Sequence, residues 1–358
     1  MNRTVIYLTA IAAIAGGLIY YYVFDGAIPS KSNYAFDIDE IRRLGDAPAD
    51  DLPYDIRLEV IARPSVPCFA LRPGCFGQAE MTRASFQVVT ASGNYMLETG
   101  MDEDLAREYN QHEGFSEVVW THTQEALSAA KGILATHEHP DHMGGIVRHR
   151  DPASLTDKLY LTGEQFAALA GLAKTGALPD ALRDVEPINL SGPHRIAPGI
   201  VMIPAPGHTP GSVIFYVKMS YGAEVLFIGD IAYTLENVIK GLDRPRFVRF
   251  LMVSPEDRNA VIHQLKALHD LSIDHPDILI VPAHDEKQIS LFLEEGVFAE
   301  GFFLPAPEAV VDAGKYGDRR LRPYLRGRQP YGRIFPQALS VGGARKAENL
   351  ANAFGRRN

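Results

Sequence analysis

The chain begins with a long uninterrupted run of apolar positions. Residues Thr4 to Phe24 contain no charged side chain, and as an α-helix these 21 residues extend about 31 Å. A bilayer core is about 30 Å thick, so the pattern predicts a transmembrane helix. Arg3 precedes the run and acidic residues outnumber basic ones just after it, which places the body on the extracytoplasmic (periplasmic) side. The alternative is a cleaved signal peptide, whose apolar region usually spans only about 7–15 residues.

Farther along, short apolar runs alternate with clusters of Gly, Pro and polar residues. Two such runs flank "SGN" at 92–94 and predict a β-hairpin. Strands are also predicted for "FSEVVWTH", "GILATHEH", "KLYLT", "GIVMIPAPGH", "SVIFYVK", "AEVLFIGD" and "DILIVPAHD". Helical periodicity marks "GEQFAALAGLAK" and "SPEDRNAVIHQLKALHDL", the second beginning with Ser254 as N-cap and Pro255 as its first helical residue. Strands that alternate with helices predict an α/β or layered α+β body.

The densest group of metal-binding residue types follows the predicted strand "GILAT". The stretch "HEHPDH" places His137, His139, Asp141 and His142 within six positions. Because Pro140 interrupts this stretch, we expect a loop rather than the interior of a helix. The spacing differs from the HExxH motif of zinc proteases, since position 141 holds Asp and not His. Such crowding of imidazoles and a carboxylate predicts a metal site.

Three other predicted strands end in the same residue types. "IPAPG" is followed by His208, "VLFIG" by Asp230, and "ILIVPA" by His284. Strand ends are where a rigid sheet presents side chains to a shared cleft. The combined set of five histidines and two aspartates contains no thiolate and suits Zn²⁺ or another first-row metal.

The motifs "THEHPDHMGG", "PGHTPGS", "GD" and "PAHD", in this order, resemble the metallo-β-lactamase superfamily over residues 84–293. The resemblance implies an α+β fold, a four-layer αββα sandwich with two metals at one edge of the paired sheets. It also implies two divalent metal ions. Zn²⁺ is the expected ion, and Fe or Mn are the alternatives. The implied ligands are His137, His139 and His208 for the first metal, Asp141, His142 and His284 for the second, and Asp230 as a bridge between them.

Three positions refine the resemblance. Asp230 is similar to the bridging Asp of hydrolases, lactonases and phosphodiesterases, whereas the β-lactamases carry Cys or Ser there. Tyr233 resembles a Tyr of the N-acyl-homoserine lactone lactonases that donates to the substrate carbonyl; the alternative is an aromatic side chain that only packs. Glu98, in "LETG", stands where the family has an Asp that supports the metal ligands, so that support is in question.

The composition and the resemblance together divide the chain into four parts. Residues 1–25 are predicted to be a cytoplasmic stub and transmembrane anchor, and residues 26–57, rich in Pro and acidic residues, a linker. Residues 58–304 are predicted to form the metallo-β-lactamase-like catalytic domain. Residues 305–358 form a basic C-terminal extension rich in Pro, Gly and Arg.

These features predict a membrane-anchored dinuclear-metal hydrolase in which metal-bound hydroxide attacks a lactone or related ester carbonyl. Tyr233 is expected to stabilise the oxyanion and Asp141 to protonate the leaving alkoxide. A phosphodiesterase or a thioester hydrolase is the alternative on the same metals, and a catalytically inactive metallo-fold that binds a partner is a weaker one.

The expected partners are a small ester or lactone substrate and, through residues 4–24, a membrane. The formal net charge of −9 argues against nucleic-acid binding, which needs clustered Lys and Arg.

The only two cysteines, Cys68 and Cys75, are separated by a segment in which Pro73 and Gly74 favour a turn. Outside the cytoplasm they could close a small disulfide loop. The alternative is a pair of buried, unpaired thiols, because the sequence does not supply the distance between their Cβ atoms.

Overall fold

The computed structural model describes residues 3–251 and 256–304, so the predicted extension 305–358 lies outside the described residues. The helices are α1 (Arg3–Ile19), α2 (Ile38–Gly45), α3 (Glu103–Glu108), α4 (Glu117–Ala129), α5 (Pro140–Val147), α6 (Gly163–Leu172), α7 (Leu235–Lys240), α8 (Arg258–Asp274) and α9 (Glu286–Glu294). The strands are β1 (Asp55–Ala62), β2 (Ser65–Pro67), β3 (Gln78–Glu80), β4 (Arg83–Thr90), β5 (Gly93–Leu97), β6 (Gly132–Leu134), β7 (His194–Ala197), β8 (Ile200–Pro204), β9 (Val213–Lys218), β10 (Glu224–Gly229), β11 (Ile278–Pro282) and β12 (Ala299–Glu300).

Two mixed sheets of five strands each form the centre of the fold. The first has the strand order β12-β1-β4-β5-β6 and the second β11-β10-β9-β8-β7. Their inner faces share one apolar cluster, in which the rings of Phe86 on β4 and Phe227 on β10 lie 5.0 Å apart. Burial of this cluster, from strands of both sheets, is the main term that holds the two sheets face to face.

Helices cover the outer face of each sheet. Met96 and Ile133 of the first sheet pack with apolar residues of α4, α5 and α6. Ile214 and Ile280 of the second sheet pack with α7, α8 and Ile41 of α2. The layers therefore run helix, sheet, sheet, helix, which is the predicted four-layer αββα sandwich.

The predicted hairpin at 92–94 is present, with Thr90 of β4 paired to Gly93 of β5. Two other strand predictions are wrong. The segment "FSEVVWTH" begins α4, because Ser116 caps the helix by accepting a hydrogen bond from the Val119 amide and Trp120 packs inward. Helix capping and burial of one face outweigh the β-propensity of the two valines here. "KLYLT" contributes only isolated bridges, Leu159 to Ile133 and Thr162 to Ile188.

The start of α8 also differs from the prediction. The helix begins at Arg258 with Asp257 as N-cap, whose carboxylate accepts a hydrogen bond from the Ala260 amide. Ser254 and Pro255 lie outside the described residues. Asp is as effective an N-cap as Ser, so the sequence contained two competing start signals three residues apart.

The N-terminal apolar run forms α1 and continues as a π-helical turn, Tyr20–Phe24. Its mean hydropathy is 1.7, and none of this span is buried against the rest of the protein. By length and composition this helix is a candidate membrane span; a signal sequence would have the same properties.

Residues 26–57, predicted to be a linker, lie along the outer face of the second sheet. Within this segment Ile41 of α2 is fully buried, and the Tyr34 hydroxyl donates to the Pro204 carbonyl at 2.7 Å. The first strand of the sandwich begins inside the same segment, at Asp55. The candidate span is therefore joined to the body by a chain segment that is itself packed on it.

Candidate metal centre

The seven predicted ligands converge at one edge of the sandwich, and all are buried. They form two groups, within each of which the candidate ligand atoms lie within 4.8 Å of one another. The first group is His137, His139, His208 and Asp230, and the second is Asp141, His142 and His284. The two groups contain the same residues as the two ligand sets that the family resemblance implies, with Asp230 in the first group.

The sheets place these residues through the ends of four strands. The segments after β6, β8, β10 and β11 carry His137, His208, Asp230 and His284, respectively. The expected loop ends at His139, because Pro140 is the first residue of α5 and Asp141 and His142 lie in its first turn. Proline fits the first helical position, where its missing N–H has no partner to lose.

Asp230 lies between the two groups. Its Oδ2 is 3.5 Å from Nε2 of His208, and its Oδ1 is 3.0 Å from Nε2 of His284. One carboxylate therefore faces ligands of both groups, as a bridging ligand must.

The spacing of the ring nitrogens fits a metal. Nδ1 of His139 lies 3.0 Å from Nε2 of His137 and 3.2 Å from Nε2 of His208, and the Nε2 atoms of His142 and His284 are 3.3 Å apart. Two nitrogens bound tetrahedrally to one Zn²⁺ at about 2.0–2.1 Å would lie about 3.3 Å apart. Lone pairs converging in this way on buried points form a donor set that suits Zn²⁺ or a related divalent ion.

Glu98 supports the second group despite its extra methylene. Its Oε2 lies 3.1 Å from Nδ1 of His142, and its Oε1 accepts a hydrogen bond of 2.6 Å from the Thr136 hydroxyl. Its backbone has φ of 66°, a left-handed conformation that non-glycine residues rarely adopt. A carboxylate on Nδ1 fixes the imidazole so that Nε2 faces the metal position. The sequence left this support in question, and the structure provides it.

The "MGG" that ends the histidine motif makes the contact between Glu98 and His142 possible. A Cβ on Gly145 would lie 2.1 Å from the Thr99 carbonyl oxygen, and the Thr99 amide donates to the His142 carbonyl at 2.8 Å. Only glycine allows α5 to approach the chain after β5 this closely. His142 is thereby brought beside Glu98.

His208 has a carboxylate partner that the sequence analysis missed. Nδ1 of His208 lies 3.0 Å from Oε2 of Glu256, and the same oxygen accepts a hydrogen bond from Arg244. Arg244 is buried and also donates to the Asp230 carbonyl oxygen at 2.6 Å. This chain of contacts links a ligand of the first group to the backbone of the bridging residue.

A second arginine that the sequence analysis missed lies beside the other group. Nε of Arg83 lies 2.9 Å from Oδ2 of Asp141, and its Nη1 lies 3.0 Å from Nδ1 of His284. The Thr82 carbonyl oxygen is 2.8 Å from the same Nδ1. The guanidinium therefore holds Asp141 in place, while the carbonyl favours a proton on Nδ1 of His284 and leaves Nε2 toward the metal position.

Tyr233 lies over the centre and is half-buried. Its ring centre is 5.8 Å from that of His284 and 6.4 Å from that of His208. Burial raises the pKa of Tyr233 above its ordinary value, so the phenol stays protonated and can donate a hydrogen bond.

Burial and neighbouring charges set the protonation of the ligands. Burial, with the nearby His208, lowers the pKa of His139 to about 3. His142 differs, because Glu98 and Asp141 outweigh burial and raise its pKa to about 9. Burial opposes ionisation of Asp141, but His142 and Arg83 outweigh it and hold the pKa of Asp141 at about 2. The centre therefore combines ionised carboxylates with imidazoles, and a metal binding at His142 would displace a proton.

Residues 108–260 match the family model described as the Beta-lactamase superfamily domain. This match covers less than half of the chain, and the αββα sandwich around it agrees with the metallo-β-lactamase fold that the sequence motifs implied. A curated relative, the probable metallo-hydrolase YqgX of Bacillus subtilis (strain 168), is 33% identical over 110 residues. That alignment covers 28% of this chain and 52% of the relative, so the chain matches about half the length of that protein.

Solved structures show the same fold. An N-acyl homoserine lactone hydrolase with the product N-hexanoyl-L-homoserine at its catalytic metal centre is 16% identical, with a TM-score of 0.51, covering 67% of this chain and 96% of that one. A probable metal-dependent hydrolase from Staphylococcus aureus is 15% identical, with a TM-score of 0.50, covering 65% and 91%. At these identities the likeness concerns the fold.

Arg83, Arg244 and Glu256 are the site residues that the sequence analysis did not find. Glu256 lies 48 positions from His208, and Arg83 lies 201 positions from His284. No local motif marks any of the three, because each contact is created by the packing of distant segments.

Proposed function

We propose that this protein is a membrane-anchored, metal-dependent hydrolase that opens a lactone or a related ester. The observation that carries the proposal is the complete pair of buried ligand groups with Asp230 between them. The match to the Beta-lactamase superfamily domain and the metallo-hydrolase relative support the reaction class. The catalytic domain is assigned to residues 58–304.

The metals are assigned to the predicted ligands, with Zn²⁺ as the preferred ion. His137, His139 and His208 would hold one ion, Asp141, His142 and His284 the other, and Asp230 would contact both. When bound, such ions lower the pKa of water and polarise a carbonyl oxygen.

Two side chains of the protein would supply the hydrogen bond and the proton transfer that the reaction also needs. The Tyr233 phenol, kept protonated by burial, would donate to the substrate carbonyl oxygen as negative charge grows there. Asp141, held by Arg83, would take a proton from the attacking water on a carboxylate oxygen and pass it to the leaving alkoxide. The ring C–O bond breaks, and the product is a hydroxy acid.

The membrane and the compartment belong to the same proposal. Residues 4–24 would span the bilayer once, with the catalytic domain on the extracytoplasmic side. The structure pairs Cys68 with Cys75, and disulfides persist in oxidising compartments outside the cytoplasm, which supports this orientation.

A hydrolysis screen tests the proposal. Full-length protein in detergent, loaded with Zn²⁺, would be compared on an N-acyl homoserine lactone, a phosphodiester, a thioester and a β-lactam. We expect the lactone to be hydrolysed with the highest kcat/KM. A preference for the phosphodiester or the thioester would replace the lactone assignment, and inactivity on all four would remove the hydrolase assignment itself.

A further inference from the structure

Aromatic side chains cluster on the surface where the candidate membrane span meets the body. Beyond Phe24, five large hydrophobic side chains are exposed among the residues that the structure describes, and three are phenylalanines of this region. Phe69 is 40% exposed, Phe76 80% and Phe250 65%. With their neighbours they form a surface that we call the aromatic rim, consisting of Tyr21, Tyr22, Phe69, Phe76, Phe247 and Phe250.

The rim is continuous with the N-terminal helix. The ring centres of Tyr22 and Phe250 lie 6.3 Å apart, and the guanidinium carbon of Arg246 lies 4.2 Å from the ring centre of Tyr21. Arg246 also pairs with Asp25 at 2.6 Å. If the helix ends at the membrane surface, these contacts hold the segment 246–250 at the membrane surface as well.

The hairpin of β2 and β3, residues 65–80, forms the other side of the rim. Its tip is closed by the Cys68–Cys75 disulfide, which leaves Phe69 and Phe76 at the two ends of a short constrained loop. The ring centre of Phe69 lies 5.6 Å from that of Phe247. The Leu71 carbonyl accepts a hydrogen bond of 3.0 Å from the Asn237 side chain, which fixes the loop against α7.

On both sides of the rim, residues that are close to it in the chain contact residues of the metal centre. The hairpin is followed at once by Thr82 and Arg83, which contact His284. On the other side, Arg244 lies two residues before Arg246 and stacks on Tyr233. Short chain segments therefore join the rim to Tyr233 on one side and to His284 on the other.

We propose that the aromatic rim inserts into the membrane interface, so that the metal centre opens toward the bilayer and takes amphiphilic esters whose acyl chains lie in it. Tyr and Phe side chains partition favourably into this interface, and an anchoring helix keeps the rim there. Monomeric proteins rarely leave clustered aromatic surface exposed without an interaction partner. The membrane contact stands on its own, whereas the substrate class rests on the proposed hydrolase function.

Tryptophan fluorescence tests the membrane contact without reference to activity. The chain has one tryptophan, Trp120, which is 5% exposed and serves as the background. Full-length Phe76→Trp and Phe250→Trp would be reconstituted into phosphatidylcholine vesicles with and without brominated acyl chains. We expect both variants to be quenched by the brominated lipid well beyond the wild-type protein.

Ile273→Trp is the matched control. Ile273 is 55% exposed and lies near the end of α8, whose start is hydrogen-bonded beside His208 through the Asp257 amide and Gly207 carbonyl. The 17 residues of α8 span about 25 Å, so Ile273 lies at the opposite end of this helix from the His208 side, and we expect it not to be quenched. Quenching of Ile273→Trp alone, or of all three variants equally, would overturn the proposed orientation, as would quenching of none.

A substrate comparison tests the second part of the proposal, that amphiphilic esters reach the centre from the bilayer. The triple variant Phe69→Ser, Phe76→Ser, Phe250→Ser and the control Ile273→Ser would be assayed in vesicles on N-butanoyl and N-dodecanoyl homoserine lactones. The rim is proposed to place the metal centre where it takes substrate from the bilayer, and only the long-chain lactone partitions strongly into it. We therefore expect kcat/KM for the N-dodecanoyl lactone, divided by kcat/KM for the N-butanoyl lactone, to fall roughly tenfold in the triple variant only. An unchanged ratio would overturn entry from the bilayer. Inactivity of every form on both lactones would refute the proposed function, while the quenching result would still decide the membrane contact.

Discussion

The guanidinium carbon of Arg244 lies 4.3 Å from the ring centre of Tyr233, so a buried cation rests on the face of the phenol beside the metal centre. Arg244 is held in turn by Glu256 and by the Asp230 carbonyl. A cation over an aromatic face stabilises the ring position by about 0.5–2 kcal/mol. Tyr233 is therefore positioned by the same network that supports His208 and Asp230.

Removing the Tyr233 hydroxyl should lower turnover without removing metal. In Tyr233→Phe we expect kcat on a lactone to fall, by less than the roughly 100- to 1,000-fold seen when a dedicated oxyanion donor is deleted, because a metal held by the first ligand group would polarise the same oxygen. Steady-state kinetics and metal analysis of the same preparation provide the measurement. Full lactone turnover with unchanged metal content would contradict the carbonyl-donor role.

Loss of the bridging carboxylate should affect both metal positions. In Asp230→Ala we expect metal content and activity to fall together, since Asp230 faces His208 on one side and His284 on the other. Exhaustive chelation of the wild-type protein should have the same effect and should be reversed by Zn²⁺. Purified protein with no metal, and activity that resists chelators, would exclude a metal enzyme.

The carboxylate of Glu98 should increase the affinity of the second ligand group for its metal. In Glu98→Gln we expect that affinity to fall about 10- to 100-fold, because His142 loses the negative charge that orients its ring. Competition with a chelating dye measures this change. Glu224→Gln is a matched control, since Glu224 is also buried but pairs with Arg42 away from the centre; equal losses in both variants would rule out a specific role for Glu98.

The pair of the buried Glu224 and the half-buried Arg42 should make stability depend on pH. Burial opposes ionisation of Glu224, but hydrogen bonds from Arg42 and Tyr216 outweigh it and lower its pKa. A lowered folded-state pKa means that the stabilisation is complete above the unfolded pKa of about 4.3 and is lost as pH falls through the folded value. Glu224→Gln should therefore lower stability by about 1–2 kcal/mol at neutral pH and flatten the acid limb of a Tm-against-pH curve. The exposed Glu164→Gln should leave that curve unchanged.

Reporter fusions test the orientation. We expect alkaline phosphatase fused after Ser30 to be active and a reporter that works only in the cytoplasm to be inactive at the same position, because Arg3 precedes the span and acidic residues follow it. The reverse pattern would invert the topology. Release of the body from membranes by carbonate would indicate cleavage after a signal peptide.

The sequence alone identified the seven candidate ligands and predicted that strand ends would bring them to one shared cleft. Each ligand segment directly follows a strand signal, and crowded His and Asp residues have few structural uses other than metal binding. The glycines of "HMGG" were also visible as a motif, but their purpose, the approach of α5 to Thr99, was not. The hairpin at 92–94 was predictable because its turn residues act locally.

Only the tertiary structure decided which groups support the ligands. Arg83, Arg244 and Glu256 reach the centre through packing between segments far apart in the chain, and no local pattern encodes such contacts. The same reason explains the wrong strand prediction at residues 115–122. A short run with two valines and a tryptophan suits a strand or a helix equally well, and the choice is made by which face finds a buried partner. Helix α4 forms because Trp120 packs against Ile61 of the first sheet, a neighbour that only the completed fold supplies.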